Sequence, residues 1–392
     1  ANTTGTQNTA VGYQAGDAIT TGNYNALLGA NAGGALTTGV QNVALGQGAL
    51  QTATTQDYNT AVGDSALSAN IADNNTAVGK SALVANTTGT QNVAVGSLAG
   101  DAITTGDGNT AIGYFSLSTT TTADNNTAVG VDSLGLNSTG ANNTGIGRDA
   151  LRSNTTGAYN VAVGALALDA NTTASYNVGM GYGALSAVVT GASNTAVGHQ
   201  ALEDNTASNN TAVGANALLQ NTTGTRNTAV GSLALDANTT ADYNTAVGYS
   251  SLGANTTATH NAAFGYYTLP LNTTGVQNTA IGSQALAANT TADNNTAIGY
   301  TALLANTTGA ENTAVGSYAL DANTTGSYND AFGNNALGAN TTGQDNCGIG
   351  RYALVTNTTG SSNTACGSLA LRYATTADNN TAVGRQAGTD VT

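Results

Sequence analysis

The chain has 392 residues, a formal net charge of −14 at pH 7, one Pro, no Trp and only seven Lys and Arg residues. So few basic residues argue against nucleic-acid binding, and no apolar run is long enough to span a membrane. A low content of charged and aromatic residues would suit a disordered chain, but Val and Leu recur here at fixed spacing, which disordered segments do not show.

One short unit recurs along the whole sequence. An Asn begins each of 23 copies, and the spacing between these Asn residues is 17 except from Asn59 to Asn75 and from Asn194 to Asn210, where it is 16. With this Asn as position 1, the typical unit reads N-T-A-V-G-x-x-A-L-x-A-N-T-T-G-x-x. We expect residues 1–392 to form a single continuous repeat domain. Because the array starts and stops inside a unit, we expect it to be a section of a longer chain.

The first half of the unit predicts a strand followed by a corner. Position 1 is Asn and position 5 is Gly in all 23 copies, and position 4 is always apolar. Position 2 is Thr, Val, Ala or Cys apart from Asp330, and position 3 is Ala or Gly apart from Leu27. β-Branched residues favour a strand at positions 2–4. An unvarying Gly indicates a corner that needs a positive φ or has no room for a Cβ atom.

The second half of the unit predicts short strands at positions 7–9 and 13–14, with turns between them. Leu occupies position 9 in 19 copies. Each unit would then make one coil, and stacking would pair each strand in parallel with the same positions of the next unit, at a spacing of about 4.8 Å. The sequence therefore predicts an all-β fold, a parallel β-solenoid of 23 coils, in which the Asn at position 1 forms a ladder of amides that bond to the next coil.

Alternation along the strand assigns its two faces. We expect the residue at position 4 and the Leu at position 9 to be inside the coil, position 2 to border the interior, and positions 3 and 8 to point outward. Asp330 at position 2 would then need hydrogen-bond donors or a raised pKa. Cys347 and Cys366, at positions 2 and 4 of successive coils, are interpreted as small buried residues too far apart for a disulfide. The predicted core includes Val11, Val62, Val95, Val230, Val315, Leu67, Leu83, Leu235 and Leu303.

Position 3 is predicted to point outward, and no copy has a polar residue there. This indicates contact with another chain, since a monomer rarely leaves so long an apolar surface open. We therefore predict a homo-oligomer of parallel, in-register copies that meet through position 3. The predicted contact residues are Ala10, Ala61, Ala94, Ala128, Ala229 and Ala314.

The string Asn-Thr-Ala-Val-Gly, and variants such as the one at residues 143–147, resemble the head repeats of trimeric autotransporter adhesins. They are also similar to the repeat arrays of bacterial and phage proteins described as tail-fibre-domain proteins. The resemblance implies a left-handed parallel β-roll that assembles as a homotrimer. The adhesin head unit is shorter than the unit of this chain, and the additional residues here lie around Ala-Asn-Thr-Thr-Gly.

No pattern of residues indicates catalysis, a cofactor or a metal site. His199 and His260 fall on solvated corners of different coils, and the Gly-rich strings lack the Lys-Ser/Thr of a phosphate-binding loop. Asp residues do not recur at one position, as they do in calcium-binding repeats. We expect a non-catalytic fibre, stalk or adhesin segment that is extracellular, on a cell surface or a virion, and whose main partner is another copy of itself.

Two alternatives use the exposed turn residues. An ice-binding solenoid would use the Thr file at positions 13 and 14, although Ile71, Val188 and Val189 interrupt this file. A lectin-like adhesin would bind carbohydrate or a host surface through exposed Tyr side chains, and Asn-Thr-Thr is also an acceptor for N-linked glycans. The candidate ligand or glycan residues are Thr222, Thr223, Thr239, Thr240, Tyr249 and Tyr266.

Overall fold

The computed structural model describes residues 2–389 and 391, and this part of the chain consists of short strands and turns without a helix. None of the described residues belongs to a helix that could cross a membrane. The chain forms two compact units, Ala1–Asn194 and Thr195–Thr392. Each unit is a stack of coils in which the residues at positions 2–4 form a three-residue strand, as the sequence predicts.

The first unit contains the strands β1 to β11. In chain order they are Thr9–Val11, Ala26–Leu28, Val43–Leu45, Thr60–Val62, Thr76–Val78, Val93–Val95, Thr110–Ile112, Thr127–Val129, Thr144–Ile146, Val161–Val163 and Val178–Met180.

The second unit contains the strands β12 to β23. In chain order they are Thr195–Val197, Thr211–Val213, Thr228–Val230, Thr245–Val247, Ala262–Phe264, Thr279–Ile281, Thr296–Ile298, Thr313–Val315, Asp330–Phe332, Cys347–Ile349, Thr364–Cys366 and Thr381–Val383.

Within each unit, every strand pairs in parallel with the strands of the adjacent coils, and like positions face each other. Ala229 of β14 lies opposite Ala246 of β15, for example, and the shorter unit that follows Asn59 keeps the same register, with Thr60 opposite Thr76. The predicted parallel solenoid, with one coil for each repeat unit, is therefore confirmed. The deleted residue of the short unit is absorbed in the turns, because the strand register does not shift.

The predicted strands at positions 7–9 and 13–14 are wrong in the described coils. Positions 7 and 9 have the left-handed conformation, as at Leu233 (φ 59°) and Leu235 (φ 51°), which breaks an extended chain. Positions 13 and 14 form a bend in which two N–H groups share one carbonyl of the next coil. The backbone N–H groups of Thr222 and Thr223 both donate to the carbonyl oxygen of Thr239, at 2.9 and 3.1 Å.

The faces of the strand are opposite to the prediction. Ala229 at position 3 is fully buried, whereas Val230 at position 4 is half-buried and Val95 is 38% exposed. Position 8 is also buried, as at Ala234. Among the predicted core residues, Leu67, Leu83, Leu235 and Leu303 are buried, but Val11 and Val95 are exposed, and Val62, Val230 and Val315 are only half-buried.

The small volume inside each coil explains this arrangement. The Leu at position 9, the Ala at position 8 and buried Asn side chains at positions 1 and 12 already occupy the interior, so position 3 has space for Ala but not for Val or Ile. Asp330 at position 2 follows the same rule, since it is exposed in a strand that keeps normal register with Thr313 and Cys347. Position 2 therefore faces outward.

The predicted Asn ladder at position 1 is confirmed in both units. The Asn244 amide oxygen accepts the backbone N–H of Asn261 at 2.9 Å, and its Nδ2 donates to the carbonyl oxygen of Ala258 at 2.9 Å. A second ladder runs through position 12, where Asn238 Nδ2 donates to Asn221 Oδ1 at 2.7 Å. These bonds satisfy amides that would otherwise be costly to bury.

Coils that lack the Leu at position 9 show how constant the interior volume is. Gly16 and Gly100 occupy this position, and in both coils position 12 is Ile instead of Asn. A Cβ atom on Gly16 would lie 3.0 Å from Ile19 Cδ1, and one on Gly100 would lie 3.0 Å from Ile103 Cδ1. The Ile side chain therefore takes the space that the Leu leaves, and Leu27 at position 3 does the same beside Gly16.

Candidate interaction surfaces

The outward side of the strands carries an apolar surface, which we call the strand face and define as the side chains at positions 2 and 4. Thr, Val and Ala dominate position 2, and position 4 is never polar. Exposure at position 4 ranges from half-buried to 73% at Val383. The exposed apolar residues at this position are Val11, Leu28, Leu45, Val78, Val95, Ile112, Ile146, Met180, Val213, Phe264, Ile281, Ile298, Phe332, Ile349 and Val383.

The strand face was not recognised from the sequence as an outward surface, because its position-4 residues were assigned to the interior. Two signals could have identified it. Position 4 varies in size from Cys to Phe while position 3 is almost always Ala or Gly, and only an outward position tolerates such a range of volumes. A carboxylate at position 2, Asp330, would also be costly inside a coil.

The Ala residues predicted to lie at an inter-chain contact do not do so. No surface is exposed at five of them, because their methyl groups fill the interior of their own coil. These are Ala61, Ala94, Ala128, Ala229 and Ala314. Ala10 is exposed, but it belongs to the first coil, which is covered on one side only. The prediction that position 3 points outward is therefore wrong, and positions 2 and 4 form the outward side of the same strands.

The two cysteines also lie on the strand face. Cys347 at position 2 is half-buried and Cys366 at position 4 is exposed, and both are free thiols. The prediction that both are buried inside the coil is wrong. Burial raises the pKa of the Cys347 thiol, and the nearby Asp330 carboxylate and Cys366 raise it further.

The Thr file offers fewer free hydroxyls than its sequence suggests. Thr222 and Thr239 at position 13 donate their hydroxyls to the position-13 carbonyl of the next coil, at 2.9 and 3.2 Å. Thr223 and Thr240 at position 14 are exposed. Half of the file is therefore engaged in holding the coils together.

The Asn of each Asn-Thr-Thr string is inside the coil. Asn238 is fully buried, and its Nδ2 donates to Asn221 Oδ1 and to the carbonyl oxygen of Ala241. An oligosaccharide on this nitrogen would break both bonds and could not fit the interior. The folded array therefore presents no glycan acceptor at Asn238.

Tyr side chains on the corners pack on their neighbours in adjacent coils. The rings of Tyr249 and Tyr266 stack with centroids 5.8 Å apart, and Tyr266 also contacts Tyr267. His260 stacks on Tyr243 at 5.0 Å. These side chains remain exposed, so they could still contact a ligand.

The described residues contain no group of three or more His, Cys, Asp or Glu side chains that could hold a metal ion. His199 and His260 are both exposed and lie on different corners of the second unit, at positions 6 and 17. No model of a known protein family matches the chain, and no curated protein matches it either.

Proposed function

We propose that the chain is a non-catalytic segment of an extracellular fibre or adhesin, on a cell surface or a virion, that assembles as a parallel homo-oligomer through its strand face. The single observation that carries this proposal is the strand face itself. Its outward side chains at position 4 are apolar in every copy, although the corner positions 6 and 7 vary freely between polar and apolar residues.

The size of the strand face supports a protein interface. Eleven or twelve strands at about 4.8 Å spacing give each unit a strip about 50 Å long, and two side chains make it about 10 Å wide. The two units together would contribute about 1,000 Å² on that spacing. A standard interface buries about 800 Å² on each partner, so the proposed interface needs the strips of both units.

A second copy of this chain is the partner that fits best. The strand face repeats with every coil, and another copy of the array has the same period along its whole length. Parallel copies in register would place each coil beside its own equivalent, which a closed cyclic oligomer requires. The resemblance to trimeric adhesin heads implies three copies, so the expected mass is three times the 38.3 kDa of one chain.

The free thiols allow a direct test. In a Cys347→Ser protein, Cys366 is the single thiol of each chain. Parallel copies in register would bring the Cys366 thiols of neighbouring chains close together. A short bis-maleimide should then produce a covalent two-chain species on a denaturing gel at submicromolar protein. Light scattering of the untreated protein should give a multiple of the chain mass.

The matched control moves the thiol off the strand face. A protein with both cysteines replaced by Ser and with Ser232→Cys carries its thiol on the position-6 corner, and it should give no two-chain species. Equal cross-linking of both proteins would indicate random collision. A monomer mass together with an unlinked Cys366 would refute the oligomer.

A further inference from the structure

Three Arg residues lie in the last three coils of the second unit. Arg351 and Arg385 occupy position 6, and Arg372 occupies position 10 of the coil between them. Three of the seven basic residues therefore fall between positions 351 and 385 of a chain whose net charge is −14. The fold does not require them, because the same positions hold Ala165 and Gly253 in other coils.

Arg351 and Arg372 line a common groove with Tyr352, Ser368 and Leu369, and its volume is about 250 Å³. We call this the arginine groove. The Cζ atom of Arg351 lies 4.7 Å from the ring centre of Tyr352, and that of Arg372 lies 5.1 Å from the ring centre of the adjacent Tyr373. A guanidinium whose flat face lies against an aromatic ring still has N–H groups on its edge, and these can donate two hydrogen bonds to one anion.

A comparison with the corner that follows β9 shows that the arginine groove is not neutralised. There, Arg148 at position 6 and Arg152 at position 10 both pair with Asp149 at position 7, at 3.3 and 3.8 Å. In the arginine groove, position 7 is Tyr352 and Leu369 instead. Arg351, Arg372 and Arg385 make no ion pair with any described residue.

We propose that the arginine groove binds an acidic polysaccharide, whose sulfate or carboxylate groups pair with Arg351 and Arg372. The exposed ring of Tyr373 lies beside Arg372 and can pack against a sugar ring. Three cations on an acidic protein are too few for a nucleic acid, since such binding commonly rests on about 6–10 phosphate contacts. The groove lies on a corner and not on the strand face, so this proposal does not depend on oligomerisation.

The test is calorimetric titration of the full chain with heparin and with hyaluronan, which separate sulfate from carboxylate recognition. Arg351→Gln and Arg372→Gln should each weaken binding of the preferred polymer by about tenfold, because each removes a charge-assisted contact. Arg148→Gln and Arg152→Gln are the matched controls. They remove the same charge from the same repeat positions, and they should leave binding unchanged.

A second variant tests the groove without removing an Arg. Leu369→Asp places a carboxylate at position 7, which already holds Asp132 and Asp149 with the same positive φ, so the coil should fold. This carboxylate should pair with the groove arginines, as Asp149 does with its neighbours, and abolish binding.

The proposal would be overturned by failure of both polymers to bind at millimolar concentration, or by equal loss of binding in the control variants. Equal affinity for single-stranded DNA, with the same dependence on Arg351 and Arg372, would also overturn it by showing a general polyanion site.

Discussion

At the scale of single residues, the Gly at position 5 is the most constrained residue of the unit. Gly231 has a φ of +136°, a conformation that residues with a side chain rarely adopt. A Cβ atom there would lie 2.5 Å from the carbonyl oxygen of Gly248 in the next coil. The sequence predicted both possible reasons for this Gly, and the structure shows that both apply.

Gly231→Ala should therefore destabilise the second unit by at least about 2 kcal/mol, because backbone strain and a steric clash with the next coil act together. Guanidinium denaturation followed by circular dichroism would measure this change.

Gly253→Ala serves as the control, since position 10 has an ordinary φ and already holds Ala287 in another coil. It should change the denaturation midpoint very little. An unchanged midpoint for Gly231→Ala would contradict the proposed role of position 5.

At the scale of a strand, adjacent residues have opposite roles, and β18 shows this clearly. Ala297 has no exposed surface, whereas the next residue, Ile298, is 37% exposed on the strand face. Ala297→Glu should unfold the surrounding coils, because the interior has neither space nor a partner for a carboxylate. Ile298→Glu should leave the fold intact and dissociate the oligomer, because it places like charges at the proposed interface.

Circular dichroism and light scattering separate these two outcomes. If Ala297→Glu melts normally, the face assignment is wrong. If Ile298→Glu remains folded at the same mass as the unmodified protein, position 4 is not at an interface.

The strand also shows how much of the fold the sequence could predict. The constant Asn and Gly and the regular spacing of the units predicted the coil, the strand position and its parallel register. The faces could not be read from alternation alone, because a three-residue strand between two corners has no longer pattern to fix its orientation. Hydrophobicity then favoured Val over Ala for the interior, and the decisive factor was volume, which Leu27 beside Gly16 indicates.

The candidate site was predicted less well than the fold. The sequence analysis placed the outward side of the strands on Ala229, whereas the structure places it on Val230. The arginine groove escaped notice because Arg351 and Arg372 lie in successive coils at different repeat positions. They share a groove only because successive coils stack. The ion pairs of Asp149 show that the groove lacks a carboxylate at position 7.

At the scale of the whole molecule, four Asp residues at position 10 make the stability of the fold depend on pH. Burial raises the pKa of Asp101, Asp169, Asp236 and Asp321. The Oδ1 atoms of Asp101 and Asp169 are buried without a hydrogen-bond partner, which fits this cause. Ionisation of these carboxylates therefore costs more in the folded chain than in the unfolded chain.

The sign of the pH dependence follows from these raised values. Above the folded pKa the carboxylates are ionised in both states, and the folded chain bears the cost of their desolvation. As the pH falls through the folded pKa towards the unfolded value of 3.8, the folded state takes up protons first and gains stability. We expect the melting temperature to rise as the pH falls through the folded pKa values towards 3.8, the reverse of ordinary acid denaturation.

The overall charge would also raise the stability of the folded chain as the pH falls. The net charge of −14, and with it the repulsion between like charges, diminishes as the pH approaches the isoelectric point near 4.1. Asp236→Asn and Asp64→Asn separate the two effects. Each removes one negative charge, but only Asp236→Asn also removes a carboxylate whose pKa is raised by burial, since Asp64 is exposed on a corner. Asp236→Asn should raise the melting temperature at pH 7 and flatten its pH dependence more than Asp64→Asn does. Identical profiles would assign the effect to net charge alone, and a melting temperature that falls steadily from pH 7 would contradict the role of the position-10 carboxylates.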